Sequence, residues 1–357
     1  MIRVLNLSGD PRSMGQQHGE QVADLRPKIQ ALMQVRLAAF RQQGVDLSPY
    51  LDEITQIWQQ HAPATLEMLL GMAETLDLKW DEYFAYTIAS YLTNRLDITS
   101  QSEGCTTWAA GWNFTRDGTP LLVKNRDCPP ATQPLQCLAR VKPTHGNPFL
   151  CLTSAGSPGV FSSGINSAGL AVVDTFIPST DIGPGIARYS LMMDVLQNFA
   201  TVKEVIDYLP TRPHFGDGSV TVLDAQGDMA VFEIAHSVQA VRQSDEGFIA
   251  STNHFSTPKT RSLWVDKEQA HLQGNSQGRR RFIEDALRSA KGQVDVPWSQ
   301  ALMGSHGDSL SAVCRHPEID PESVTISCMI LLPQQASIYV TNGHPCQTPF
   351  EFVRLAD

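Results

Sequence analysis

Of the 357 residues, 42% are hydrophobic and 18% charged, which supplies a sizeable core and excludes general disorder. The 27 Lys and Arg against 37 Asp and Glu leave a formal charge of −10, which argues against a nucleic-acid backbone or an anionic membrane as the main partner. No apolar run is long enough to cross a bilayer and the first residues lack the apolar centre of a signal peptide, so a cytoplasmic protein is expected.

Residues 1 to about 100 read as helical. Val22, Leu25, Ile29, Leu32 and Leu37 recur at the spacing of one buried helix face, after Pro11 and before the turn-like Gly44-Val45-Asp46. A second periodic stretch, Leu66, Leu69, Leu70, Ala73 and Leu76, follows Pro63, and a third covers Tyr83 to Leu92. From Cys105 the texture changes to short apolar runs bounded by Gly, Pro, Asn or Asp. The clearest are Leu121–Lys124, Phe149–Thr153, Leu170–Thr175, Val220–Leu223, Met229–Ile234, Val324–Leu332 and Ser337–Thr341. Two helices, Ala187–Leu209 and Gly278–Ala290, interrupt them, and residues 255–280 read as a polar surface excursion. Short turns between strands imply antiparallel sheet, which the helices must cover, so an α+β fold is expected.

The junction of the two textures is Glu103-Gly104-Cys105-Thr106-Thr107-Trp108. A Gly-Cys step at the start of a strand has a chemical use, because Gly104 leaves its carbonyl open to the thiol that follows. Attack by Cys105 and hydrolysis would free a new N-terminus there. Its α-amino group, with a reference pKa of about 7.7–8.0, could then act as the base for its own thiol. The plain alternative is a buried cysteine after a turn glycine. Asn125-Arg126-Asp127 ends the next strand, and antiparallel pairing would return Asp127 to the side of Cys105; a turn carboxylate is the alternative there. Asn253, after strand-like Phe248-Ile249, could donate to an oxyanion. The adjacent His254 permits a Cys–His reading or a structural one. Arg315, in an apolar stretch, needs a carboxylate partner, and Asp127 fits. The seven cysteines are odd in number, widely spaced and without a CxxC pair. They form no disulfide framework and show no zinc or redox spacing, so neither metal nor cofactor is expected. Gly9 to Gly19 has close glycines but no GxxxxGK[ST], so it reads as close backbone packing.

Together these segments resemble the acyl-coenzyme A:6-aminopenicillanic-acid acyltransferase family of autoproteolytic N-terminal-nucleophile (Ntn) hydrolases, relatives of choloylglycine hydrolases and penicillin V acylases. The matching stretches are Gly9 to Gly19, Gly104-Cys105-Thr106-Thr107, Asn125-x-Asp127, Gly164 to Val172, Thr252-Asn253-His254 and Cys314-Arg315. The resemblance implies a four-layer αββα sandwich with antiparallel sheets and a helical N-terminal segment. It implies one domain over 1–357, cleaved between Gly104 and Cys105 into segments 1–104 and 105–357 that stay associated. It further implies Cys105 as nucleophile, Asp127 supporting its amino group, Asn253 at the oxyanion and Arg315 in the polar network. Arg126 stands where the penicillin enzyme has an aromatic residue, and Trp108 and Trp112 also depart from the pattern, so a different acyl pocket is expected.

The expected activity is therefore hydrolysis or acyl transfer on a small linear amide or thioester through an acyl-enzyme on Cys105. The rival readings are an unprocessed thiol hydrolase pairing Cys105 with His254, and a non-catalytic binding protein on the same fold. The acyl group and any homo-oligomer stay open.

Overall fold

A strand, not a helix, begins the chain. The computed structural model describes residues 2–96, 104–157, 162–267, 269–308 and 310–356; Glu103 of the junction lies outside them. In β1 (Arg3–Gly9) Leu5 and Leu7 are buried while Asn6 and Ser8 are exposed, a period of two within the segment read above as helical. Six helices follow: α1 (Pro11–Gln21), α2 (Arg26–Gln42), α3 (Ser48–His61), α4 (Pro63–Thr75), α5 (Trp80–Thr87) and α6 (Ala89–Arg95). Asp10 caps α1 through Ser13 N–H, and Pro11 and Pro63 occupy first-turn positions where a missing N–H costs nothing. The expected run from Val22 to Leu37 is thus broken by a short 3-10 turn at Ala23–Leu25, and Tyr83 to Leu92 is two helices. Helix α3, with Leu51, Ile54 and Trp58 buried, was not anticipated.

The strands after the junction are β2 (Thr106–Ala110), β3 (Leu121–Cys128), β4 (Gln136–Pro143), β5 (Phe149–Ser154), β6 (Ser163–Asn166) and β7 (Leu170–Phe176). Then come helices α7 (Arg188–Asn198) and α8 (Val202–Tyr208), strands β8 (Gly218–Asp224), β9 (Met229–Ile234), β10 (Gln239–Gln243) and β11 (Phe248–Ser251). Helices α9 (Asn275–Ser289) and α10 (Val296–Met303) precede β12 (Val324–Leu332), β13 (Ser337–Val340) and β14 (Glu351–Arg354). The stretch Ala187–Leu209 is two helices because Thr201 and Glu204 form a capping box that starts a new one.

Among the described residues the strands form two sheets, ordered β1-β4-β5-β6-β7-β8-β9-β10 and β11-β2-β3-β12-β13-β14. Every named pairing is antiparallel except β1 with β4. Alternation along β7 shows how the layers stack. Leu170 and Val172 join a core with the N-terminal helices, α7 and α8, whereas Ala171 and Val173 meet Leu122, Met329 and Leu331 of the second sheet. On the far side of that sheet Trp108, Val123 and Ile330 pack on Ile283 and Leu287 of α9 and Met303 of α10. Helices, sheet, sheet and helices therefore make four layers. Burial on both faces explains why so many of the strands read as unbroken apolar runs.

Candidate active site

Cys105 lies just ahead of β2, buried to 3% exposure, at a cleft between the N-terminal helices and the two sheets. Pairing of Thr106 with Asn125 carries β3 back past it. The strand does not end at Lys124 but continues to Cys128, so Asp127 belongs to the sheet rather than to a turn. Its carbonyl oxygen lies 3.9 Å from Cys105 Sγ. The Asp127 carboxylate accepts from Thr325 Oγ1 at 2.6 Å and lies 3.8 Å from Arg315 Nε. Arg315 is wholly buried, and its Nη1 also reaches Asp320 at 3.3 Å. A Cβ at Gly104 would collide with this guanidinium, so close approach favours the glycine.

The residue that ties the site together was not foreseen. Arg279, wholly buried, donates from Nη1 to the Cys105 carbonyl at 2.7 Å and to Thr106 Oγ1 at 2.8 Å. Its Nη2 donates to Asn253 Oδ1 at 2.9 Å and its Nε to Asn275 Oδ1 at 2.6 Å. The same Asn275 oxygen accepts from Arg315 Nη2. Arg279 falls where the segment read as a polar surface excursion, residues 255–280, overlaps the expected helix Gly278–Ala290. A signal was present, because Arg279, Ile283 and Leu287 lie on one face of α9 at intervals of four, and all three are buried.

Asn253 reaches Cys105 through Arg279; its Nδ2 donates to the Phe176 carbonyl at 2.8 Å. Cys105 and Asp127 line the cleft, whereas Asn253 and Arg315 are not among its lining residues. His254 is turned elsewhere: Nδ1 meets Ser276 Oγ at 2.8 Å and Thr252 Oγ1 at 3.1 Å. Burial first, then Arg280 and Arg279, lower its pKa to about 3, so the ring is neutral at ordinary pH. It makes no hydrogen bond to Cys105 among the described residues, which removes the geometric basis of a Cys–His pair.

The cleft encloses about 740 Å³, its open mouth included. Tyr91 and Phe215 stack at 4.1 Å between ring centroids on one side, next to Tyr189. Arg126 and Lys124 of β3 supply charge on the other. Lys124 Nζ donates to Asp174 at 2.6 Å, and Arg188 bridges Asp174 and Asp217. Burial pushes the Asp174 pKa up, but Lys124 and Arg188 outweigh it and hold the group below the usual carboxylate range. Trp108 and Trp112 do not shape this space. Trp108 is buried on the opposite face of β2, with Nε1 toward Met303 Sδ at 3.2 Å, and Trp112 is exposed. Neither tryptophan lines the cleft, contrary to the expectation for the acyl pocket, whereas Arg126 does. In the Gly9 to Gly19 segment, a Cβ at Gly15 would strike the Met68 carbonyl and one at Gly19 the Thr75 side chain, so close packing is its role.

A family model described as acyl-coenzyme A:6-aminopenicillanic acid acyl-transferase matches residues 114–347. The match includes Asp127, Asn253, Arg279 and Arg315 and begins after Cys105. Among solved structures the chain is similar to a variant of conjugated bile acid hydrolase from Clostridium perfringens, at 14% identity and a TM-score of 0.46, over 70% of this chain and 97% of that one. It is also similar to penicillin V acylase from Agrobacterium tumefaciens, at 14% identity and a TM-score of 0.46, over 71% of this chain and 87% of that one. No curated protein matches the sequence. No helix among the described residues is long and apolar enough to cross a membrane.

Proposed function

The chain belongs to the acyl-coenzyme A:6-aminopenicillanic acid acyl-transferase family, and on that premise we propose that it cuts itself before Cys105 and then acts as an N-terminal-cysteine amidohydrolase or acyltransferase. In the first step Cys105 Sγ adds to the Gly104 carbonyl carbon. The C–N bond breaks, the departing nitrogen takes the thiol proton, and water hydrolyses the resulting thioester. The freed α-amino group then accepts the Sγ proton in each turnover. Sγ attacks the acyl carbon of a linear amide or thioester, and the leaving group departs with that proton. Water or an amine takes the acyl group from Cys105. Asn253 donates to the oxyanion, Asp127 steadies the new ammonium, and Arg315 balances the Asp127 charge. Arg279 is a positioning residue, since it fixes the Cys105 carbonyl and the Asn253 amide with one rigid fork.

The observation carrying this reading is the setting of Cys105: buried at the wall of a cleft, its carbonyl held by Arg279 and its preceding glycine pressed onto Arg315. Tyr91, Tyr189 and Phe215 offer the acyl group an aromatic wall. Intact-mass spectrometry tests it directly. Wild-type protein is expected as two pieces, residues 1–104 and 105–357, and Cys105→Ala as one inactive chain of 39.2 kDa. Wild-type protein that hydrolyses amides while remaining a single chain would overturn self-cleavage.

A further inference from the structure

Away from the cleft, the loop between α10 and β12 and the loop between β13 and β14 bring four soft ligand atoms together. His306, Cys314, His316 and Cys346 each contribute one atom, and all four lie within 4.8 Å of one another. His306 Nε2 is 3.1 Å from His316 Nε2, and Cys314 Sγ is 3.6 Å from Cys346 Sγ. His316 Nε2 stands 3.6 Å from Cys314 Sγ and 3.2 Å from Cys346 Sγ. With Zn–S of about 2.3 Å and Zn–N of about 2.0–2.1 Å, a tetrahedral site has edges of about 3.8 Å between sulfurs, 3.6 Å between sulfur and nitrogen, and 3.3 Å between nitrogens. These four separations fall within about 0.4 Å of those values, and the edges from His306 to the two sulfurs stay within 4.8 Å. A disulfide between Cys314 and Cys346 would instead need the sulfurs at about 2.05 Å.

We propose that His306, Cys314, His316 and Cys346 form a tetrahedral Cys2His2 site for a structural zinc ion. Two thiolates and two imidazoles are the donor set that selects zinc over the hard, oxygen-seeking cations. His306 and Cys346 are exposed, His316 half-buried and Cys314 buried, so an ion has a path in from solvent. The ring of His344 stacks on that of His316 at 4.0 Å and 19°, which holds the imidazole in place. The absence of a CxxC spacing concealed the set, because its members come from two loops that meet only in the fold.

The position of the site gives the metal a task. Cys314 and His316 bracket Arg315, whose guanidinium lies against Gly104 and Asp127. The loop spans the residues between Met303 and Val324 without a helix or strand among those described. Ligation on both sides of Arg315, tied across to Cys346, fixes the backbone from which that side chain projects.

The test needs no activity and is made on untagged, reduced, full-length protein. Elemental analysis after gel filtration should find one zinc per chain, and Cys346→Ser and His306→Ala should each retain less than a fifth of it. Cobalt(II) added to metal-stripped protein should give the intense visible bands of a tetrahedral thiolate complex. Zinc should raise the Tm of stripped wild type and leave that of Cys346→Ser unchanged. Stripped and reduced wild type that takes up neither metal at micromolar concentration would overturn the proposal. So would a Cys314–Cys346 disulfide in freshly purified protein, seen as a mass lower by two hydrogens.

Discussion

At Asn253 the amide is held through both its oxygen and its nitrogen. Arg279 donates to its oxygen and one N–H goes to the Phe176 carbonyl, and the proposed function assigns the second N–H to the oxyanion. Asn253→Ala, assayed on processed enzyme, should lower kcat by about 10²–10³. His254→Ala should cost far less, since that neutral ring is engaged with Ser276 and Thr252. Kinetics with the two effects exchanged would return the base role to His254. His18 makes a prediction about pH. Its buried Nε2 accepts the Gly156 N–H at 3.1 Å, which only an unprotonated nitrogen can do, and burial lowers its pKa to about 4 from an ordinary 6.5. Between those values the unfolded chain binds more protons than the folded one, so stability rises with pH. The contribution is full above pH 6.5 and is lost as pH falls toward 4, a change of about 3 kcal/mol. Urea titrations across that window should show a shallower pH dependence for His18→Gln than for wild type; parallel curves would contradict the assignment. At this scale Gly104, Cys105, Asp127, Asn253 and Arg315 were legible because each chemical type stood at a strand end or in an apolar stretch. Arg279 was hidden by the polar residues around it.

Helices α1 and α4 cross with their backbones in near contact at Gly15 and Gly71. A Cβ at Gly15 would meet the Met68 carbonyl oxygen, and one at Gly71 the Arg12 carbonyl oxygen. Alanine is the better helix former by about 1 kcal/mol, yet here it must push two helices apart. Gly15→Ala should therefore lose about 1–3 kcal/mol in denaturant unfolding, and a stabilised variant would disprove the close crossing. Element boundaries were legible where periodicity met a strong stop. Met229–Ile234 and Val324–Leu332 are strands with the expected limits. Strands β1, β4, β6, β10 and β14 were missed, as were helices α3 and α10. In β4 the polar ends Gln136 and Lys142-Pro143 mask an alternation in which Cys137, Ala139 and Val141 face the helices and Leu138 faces the second sheet. A short strand buried on both faces has no polar face to reveal its period.

One core crosses the proposed cleavage point. Leu5, Met14, Ile29, Trp58 and Tyr83 pack with Val172, Leu191, Val220 and Phe232, and β1 extends the first sheet beside β4. Residues 105–357 expressed alone should lose that cover and fail to fold, whereas processed segments should elute together in gel filtration. An isolated 105–357 chain with native stability and turnover would show the N-terminal segment to be dispensable. The sequence by itself determined the α+β class and the change of texture at Gly104-Cys105, because apolar periodicity and turn residues are local properties. Only the tertiary structure decided which groups share a site. Arg279 on α9, Asn253 after β11 and Cys105 before β2 meet because β11 pairs with β2 and α9 packs on that same face. His306, Cys314, His316 and Cys346 converge from separate loops. Such encounters depend on sheet order and layer packing, which join residues far apart in the chain and leave no mark on the spacing of neighbours.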